Sequence, residues 1–74
     1  MTVFHTRIKD FRKSIKLTQK QMAERLNISE RAYQYYESGQ REPSLDTISE
    51  ISDTFNVSID YLLGKSNNPK LNKS

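Results

Sequence analysis

Cysteine is absent from the 74-residue chain, histidine occurs once as His5, and glycine and proline occur twice each. Without thiols neither a disulfide framework nor a thiolate metal site can form, and a lone His5 does not make a metal site. The chain has no Gly-rich phosphate loop, no nucleophile elbow and no carboxylate pair set in a cleft. These absences argue against an enzyme and leave no cofactor to expect. No uninterrupted apolar run is long enough to cross a bilayer, and no signal-peptide pattern opens the chain. The expectation is therefore a soluble, cytoplasmic protein with no membrane partner and no evident small-molecule ligand. Strand signals are missing too. At 74 residues the chain makes one domain, close to the size at which a single core is barely sufficient.

What is present is an uneven spread of charge behind a modest net +3. Over residues 1–20, Arg7, Lys9, Arg12, Lys13, Lys16 and Lys20 face only Asp10, for a local +5. Residues 21–41 balance, and residues 42–63 carry Glu42, Asp46, Glu50, Asp53 and Asp60 with no cation, for −5. Lys65, Lys70 and Lys73 follow. Such asymmetry suits a molecule that turns one face to a polyanion, although ordinary solvated helix faces account for it equally well.

Apolar periodicity divides the chain into short helices. Phe4, Ile8, Phe11 and Ile15 fall at i, i+4, i+7 and i+11, which predicts an amphipathic helix over 4–15 with a basic outer face. Ser44 reads as a later N-cap, with Leu45, Ile48, Ile51 and Phe55 as the buried stripe behind it and Asp46 suited to the helix dipole. Ser58 caps a last short helix carrying Ile59, Leu62 and Leu63, and Gly64 ends it. The expected core adds Leu17, Met22, Ala23, Leu26, Ile28, Tyr33 and Tyr36 to these apolar positions, Ile59 excepted. Residues 1–64 form the domain in this reading. Residues 65–74 have little to bury and read as a frayed, disordered tail.

The rest of the chain serves the stretch Leu17–Glu37. Thr18 followed by Gln21 is a capping box, and Gln19, Met22, Ala23 and Leu26 then form one helical stripe. Asn27 accepts a left-handed backbone more readily than most residues, and Ser29 caps the next helix. On that helix Ser29, Ala32, Tyr33 and Tyr36 share one face while Glu30, Arg31, Gln34 and Tyr35 share the other. The outward set offers a carboxylate acceptor, a guanidinium fork, an amide and a phenol, all groups able to touch nucleic-acid edges. Two helices, a tight turn and a polar outer row make a helix-turn-helix with Ser29–Glu37 as the reading helix.

These residues resemble the Cro and lambda-repressor-like helix-turn-helix family, also called the XRE family. The matching pieces are Arg7-Ile8-Lys9-Asp10-Phe11-Arg12, Leu17-Thr18-Gln19, Met22-Ala23, Leu26, Ile28-Ser29, Tyr36-Glu37, Gly39, Pro43-Ser44 and Ser58-Ile59-Asp60-Tyr61-Leu62-Leu63-Gly64. They cover about residues 5–64 with their spacing kept. The resemblance implies an all-α, five-helix lambda-repressor-like DNA-binding domain that binds palindromic operators in double-stranded DNA as a homodimer and regulates transcription. It implies base-edge contacts from Glu30, Arg31 and Tyr35 with Gln34 nearby, and phosphate contacts from Gln19 and from the loop carrying Ser38, Gln40 and Arg41. It also implies that Gln19 and Glu30 are neighbours and that Arg12 and Glu37 form an ion pair. Asn27 stands where the family commonly has glycine. Glu30 and the Tyr35-Tyr36 pair are unusual on a DNA-facing surface, so the family's base preferences do not transfer.

Each of these residues has a plainer role to weigh. Arg31 can fork onto guanine O6 and N7, or be solvated, or touch a phosphate. Glu30 can accept from cytosine N4, repel phosphates, or only favour the helix dipole. Tyr35 can lay its ring on a thymine methyl or give its hydroxyl to a phosphate, whereas Tyr33 and Tyr36 belong to the core with hydroxyls reaching the surface. Thr18 can combine its cap with a phosphate contact at the helix N-terminus. Lys9, Lys13, Lys16 and Lys20 add long-range attraction. A dimer surface is expected around Val57, Ile59 and Tyr61. The leading function is a repressor of phage, mobile-element or stress-response type, either a minimal regulator or a fragment of a longer one. The alternative is a protein-interaction module of antitoxin type.

Overall fold

A computed structural model describes residues 3–71. The helices are α1 (Phe4–Ser14), α2 (Gln19–Leu26), α3 (Glu30–Ser38), α4 (Leu45–Phe55) and α5 (Ile59–Leu62). Strands are absent among the described residues; the sole β-type pairing there is an isolated antiparallel bridge between Val57 and Lys70. The domain is thus all-α with five helices.

Local chemistry sets the helix ends. The Thr18 hydroxyl accepts from the Gln21 amide at 3.0 Å, and Gln21 Oε1 accepts from the Thr18 amide at 2.8 Å, so the capping box is closed in both directions. Ser29, Ser44 and Ser58 each accept one backbone amide three residues on, from Ala32, Thr47 and Tyr61. Asn27 and Asn56 end α2 and α4 in the left-handed conformation, and Gly39 ends α3 with φ 82°. Lys16 also has positive φ, at 60°, where the chain turns from α1 toward α2.

The core is one cluster of Phe4, Ile8, Phe11, Met22, Ala23, Leu26, Tyr33, Ile48, Ile51, Val57 and Leu62. Phe11 meets Phe55 edge to face at 6.1 Å, and Phe4 meets Tyr36 likewise at 6.3 Å. α3 packs on α1 and α2, α4 reaches α2 and α5, and α5 returns to α1. The helix whose outer row matters is therefore clamped from behind by the two preceding helices.

Three expectations about burial need correction. Ile15 is exposed because α1 stops at Ser14 and the left-handed Lys16 turns the chain away before another helical turn forms. Leu45 is 75% exposed. As the first residue of α4 its Cβ points back past the helix start, beyond the reach of the core. Val57, expected on a dimer surface, is instead wholly buried: Asn56 turns the chain inward, and Lys70 pairs across Val57.

The segment after α5 also departs from the expectation of a frayed tail. Over residues 65–71 it folds back on the domain. Arg7 Nη1 donates to the Ser66 carbonyl at 2.8 Å and Nη2 to Asn67 Oδ1 at 3.1 Å, with the guanidinium 4.6 Å from the centre of the Tyr61 ring. The Ser58 amide donates to the Pro69 carbonyl at 2.8 Å. A polar stretch is held here by hydrogen bonds rather than by apolar burial. Residues 72–74, the end of the stretch read as a tail, lie outside the described residues.

Candidate nucleic-acid interface

The α2–turn–α3 unit is built from Asn27, Ile28 and Ser29. The Ile28 amide donates to the Ala23 carbonyl at 3.0 Å and the Asn27 amide to the Glu24 carbonyl at 3.2 Å, which spends the last carbonyls of α2 inside the turn. Ile28 is half-buried against the core, so the turn is packed as well as bonded. α3 then leaves with a fixed azimuth: Tyr33 and Glu37 face inward and are buried, while Glu30, Arg31 and Gln34 are exposed. Tyr35 is half-buried at the far end of the same row, and Ser29, assigned by periodicity to the inner face, is exposed at the cap.

Behind the row sits a buried carboxylate with every lone pair used. Glu37 is 7% exposed. Its Oε2 accepts from Arg12 Nε at 2.6 Å and from the Tyr33 hydroxyl; its Oε1 accepts from Arg12 Nη2 at 3.2 Å and from Gln19 Nε2 at 3.1 Å. The remaining arm of Arg12, Nη1, donates to the Leu17 carbonyl at 3.0 Å. One carboxylate thereby ties α1, the α1–α2 connection, α2 and α3 together. Burial pushes the Glu37 carboxyl up, but the hydrogen bonds from Arg12, Tyr33 and Gln19 outweigh it and hold the group below the ordinary carboxylate range. The same bond to Glu37 raises Arg12, and burial followed by the Glu37 bond raises the Tyr33 phenol.

The Tyr33 hydroxyl does not reach the surface, contrary to the expectation from periodicity. Gln19 reaches both the buried carboxylate and the outward row. Its amide nitrogen goes to Glu37, and contact with Glu30 is indirect: Gln34 Nε2 lies 3.4 Å from Gln19 Oε1 and 3.5 Å from Glu30 Oε2. These two long bonds orient the Gln34 amide nitrogen inward along the row. Arg31 projects into solvent as an exposed side chain.

A shallow recess opens beside the row, lined by Lys9, Arg12, Gln19, Gln34, Glu37 and Ser38. It brings Lys9, read from the sequence only as part of a general basic field, next to the phosphate candidates Gln19 and Ser38. Helical spacing could have flagged it, since Lys9 stands three residues before Arg12 on α1. Ser38 is exposed at the last position of α3, Gln40 and Arg41 lie on the exposed loop beyond it, and Thr18 is exposed at the start of α2. Of the donors expected to meet phosphate, Gln19 and Ser38 share this recess with Lys9.

No group of three or more His, Cys, Asp or Glu side chains among the described residues could hold a metal ion. No helix among them is long and apolar enough to cross a membrane.

A helix-turn-helix family model matches residues 8–62. The chain belongs to the helix-turn-helix family. Relatives of this helix-turn-helix chain include the uncharacterized HTH-type transcriptional regulator YqaE of Bacillus subtilis (strain 168), 45% identical over 69 residues, which cover 93% of this chain and 60% of YqaE. The cryptic phage CTXphi transcriptional repressor RstR of Vibrio cholerae is 41% identical over 59 residues, 80% of this chain and 53% of RstR. A crystal structure of a transcriptional regulator from Listeria innocua superposes with a TM-score of 0.74 at 33% identity, covering 82% of this chain and 57% of that one. The helix-turn-helix chain therefore spans little more than half the length of these three relatives.

Proposed function

We propose that this helix-turn-helix chain binds double-stranded DNA sequence-specifically and regulates transcription as a repressor acting on a palindromic operator. The observation that carries the reading is the outward row of α3. Glu30, Arg31 and Gln34 stand exposed on a helix fixed from behind by the Glu37 network, with Tyr35 at the end of the row. Arg31 forks onto guanine, and Glu30 takes a donor such as cytosine N4. Thr18, Gln19, Ser38, Gln40 and Arg41, joined by Lys9, bind phosphates and set the register of α3 in the major groove. The name of RstR, a phage repressor, supports the sign of regulation.

One row of this length makes too few base contacts for useful selectivity, so the chain acts as a homodimer with its reading helices about 34 Å apart, one turn of duplex. The partly buried Ile59 and Tyr61 are the remaining candidates for the dimer surface, Val57 being enclosed. A cytoplasmic location follows from this function. The test is selection of the chain's ligands from a pool of random duplexes. The expected result is an inverted repeat with half-site centres one helical turn apart; a pool that stays unenriched would overturn the proposal.

A further inference from the structure

Tyr35 differs from the other side chains of the outward row. Glu30, Arg31 and Gln34 are exposed, whereas Tyr35 is half-buried. The Arg41 guanidinium lies 5.5 Å from the centre of its ring, within cation–π reach. The Tyr35 carbonyl accepts from the Arg41 amide at 3.3 Å and from the Ser38 hydroxyl at 3.2 Å. Gly39, left-handed at φ 82°, allows the loop to double back and make these contacts. Tyr35 is therefore fastened to residues 38–41 through both its ring and its backbone.

A ring face that carries a guanidinium is not available to lie flat on a thymine methyl. An unrestrained arginine, in turn, loses rotamer entropy when it is immobilised, and seating it beforehand removes part of that cost. We propose that Tyr35 is a positioning residue for the phosphate-binding loop: its ring holds the Arg41 guanidinium at the end of α3, where the arginine takes a backbone phosphate, and Tyr35 itself reads no base. The assignment rests on the duplex-binding reading above and deepens it.

The experiment measures affinity of the full chain and its variants for the selected operator and for an unrelated duplex of equal length, across a salt series. Tyr35→Phe, which keeps the ring, behaves as the parent. Tyr35→Leu and Arg41→Ala each make the log-affinity against log-salt slope shallower by about 1, the signature of one lost phosphate contact. Both weaken operator and unrelated duplex by the same factor and leave the selected consensus unchanged. The double variant has the slope of Arg41→Ala alone. A Tyr35→Leu protein that keeps the parent slope but loses preference at one base pair overturns the assignment, as does a double variant whose slope falls by the sum of the two. A parent chain that binds no duplex overturns the DNA-binding reading and this one with it, whereas binding with an unmoved slope removes only this one.

Discussion

Glu37 shows how much a single side chain settles at the residue scale. A buried carboxylate is tolerated only when it is fully paired, and removing one partner of such a pair costs about 3–5 kcal/mol. Glu37→Gln is expected to destabilise the domain by an amount of that order in chemical denaturation at neutral pH. Because the folded carboxyl is held below its ordinary value, the folded state binds fewer protons than the unfolded chain between the two values. Stability from this group is present above the ordinary glutamate range and is lost as pH falls through the lower, folded value. The parent should therefore lose its advantage over Glu37→Gln on acidification, and a stability difference that stays constant from neutral pH down to pH ~2 would contradict this account. Arg31→Ala is expected to cost about 1–3 kcal/mol of operator affinity and to relax one base position; identical consensus sequences from parent and variant would defeat the base-reading role. The Arg12–Glu37 pair entered through the family resemblance, but the Tyr33 hydroxyl did not. Its signal was nonetheless in the sequence, since Tyr33 and Glu37 stand four residues apart on one helix.

At the scale of the element, helix starts and stops were legible because capping is local. The Thr18–Gln21 box, the serine caps and the left-handed Asn27 and Gly39 depend on residues within a few positions of each other. Ile15 and Leu45 were misread for the complementary reason: periodicity ranks the positions on a face but does not say how far the neighbouring helix extends to cover them. The segment after α5 shows the same limit. Part of its hold on the domain comes from Arg7, 59 residues away from Ser66 in sequence, and no local pattern announces such a bond. Arg7→Ala removes two charge-assisted hydrogen bonds and the contact with Tyr61. It should lower stability by about 1–3 kcal/mol and speed hydrogen exchange of the Ser58 amide, which is bonded to Pro69. Unchanged exchange at Ser58 would mean that the segment holds itself in place without Arg7.

For the whole molecule, the uneven distribution of charge is the feature with a measurable consequence. The basic start of the chain supplies Lys9 to the recess beside α3, whereas the acidic residues 42–63 lie mainly on α4 and α5. If phosphate contacts dominate affinity, binding must fall steeply with salt, with a log–log slope near −0.9 per phosphate neutralised. A flat titration between low and physiological salt would count against DNA as the partner. The sequence by itself determined the number and type of helices, their caps and which row of α3 is polar, because periodicity and capping act over a turn or two. Only the tertiary structure decided that Glu37 ties α1, α2 and α3 through one carboxylate, that Val57 is enclosed, that Lys9 borders the reading helix and that Arg41 rests on Tyr35. Those facts depend on which distant residues meet once the helices pack, and contacts across the fold leave no periodic trace in the chain.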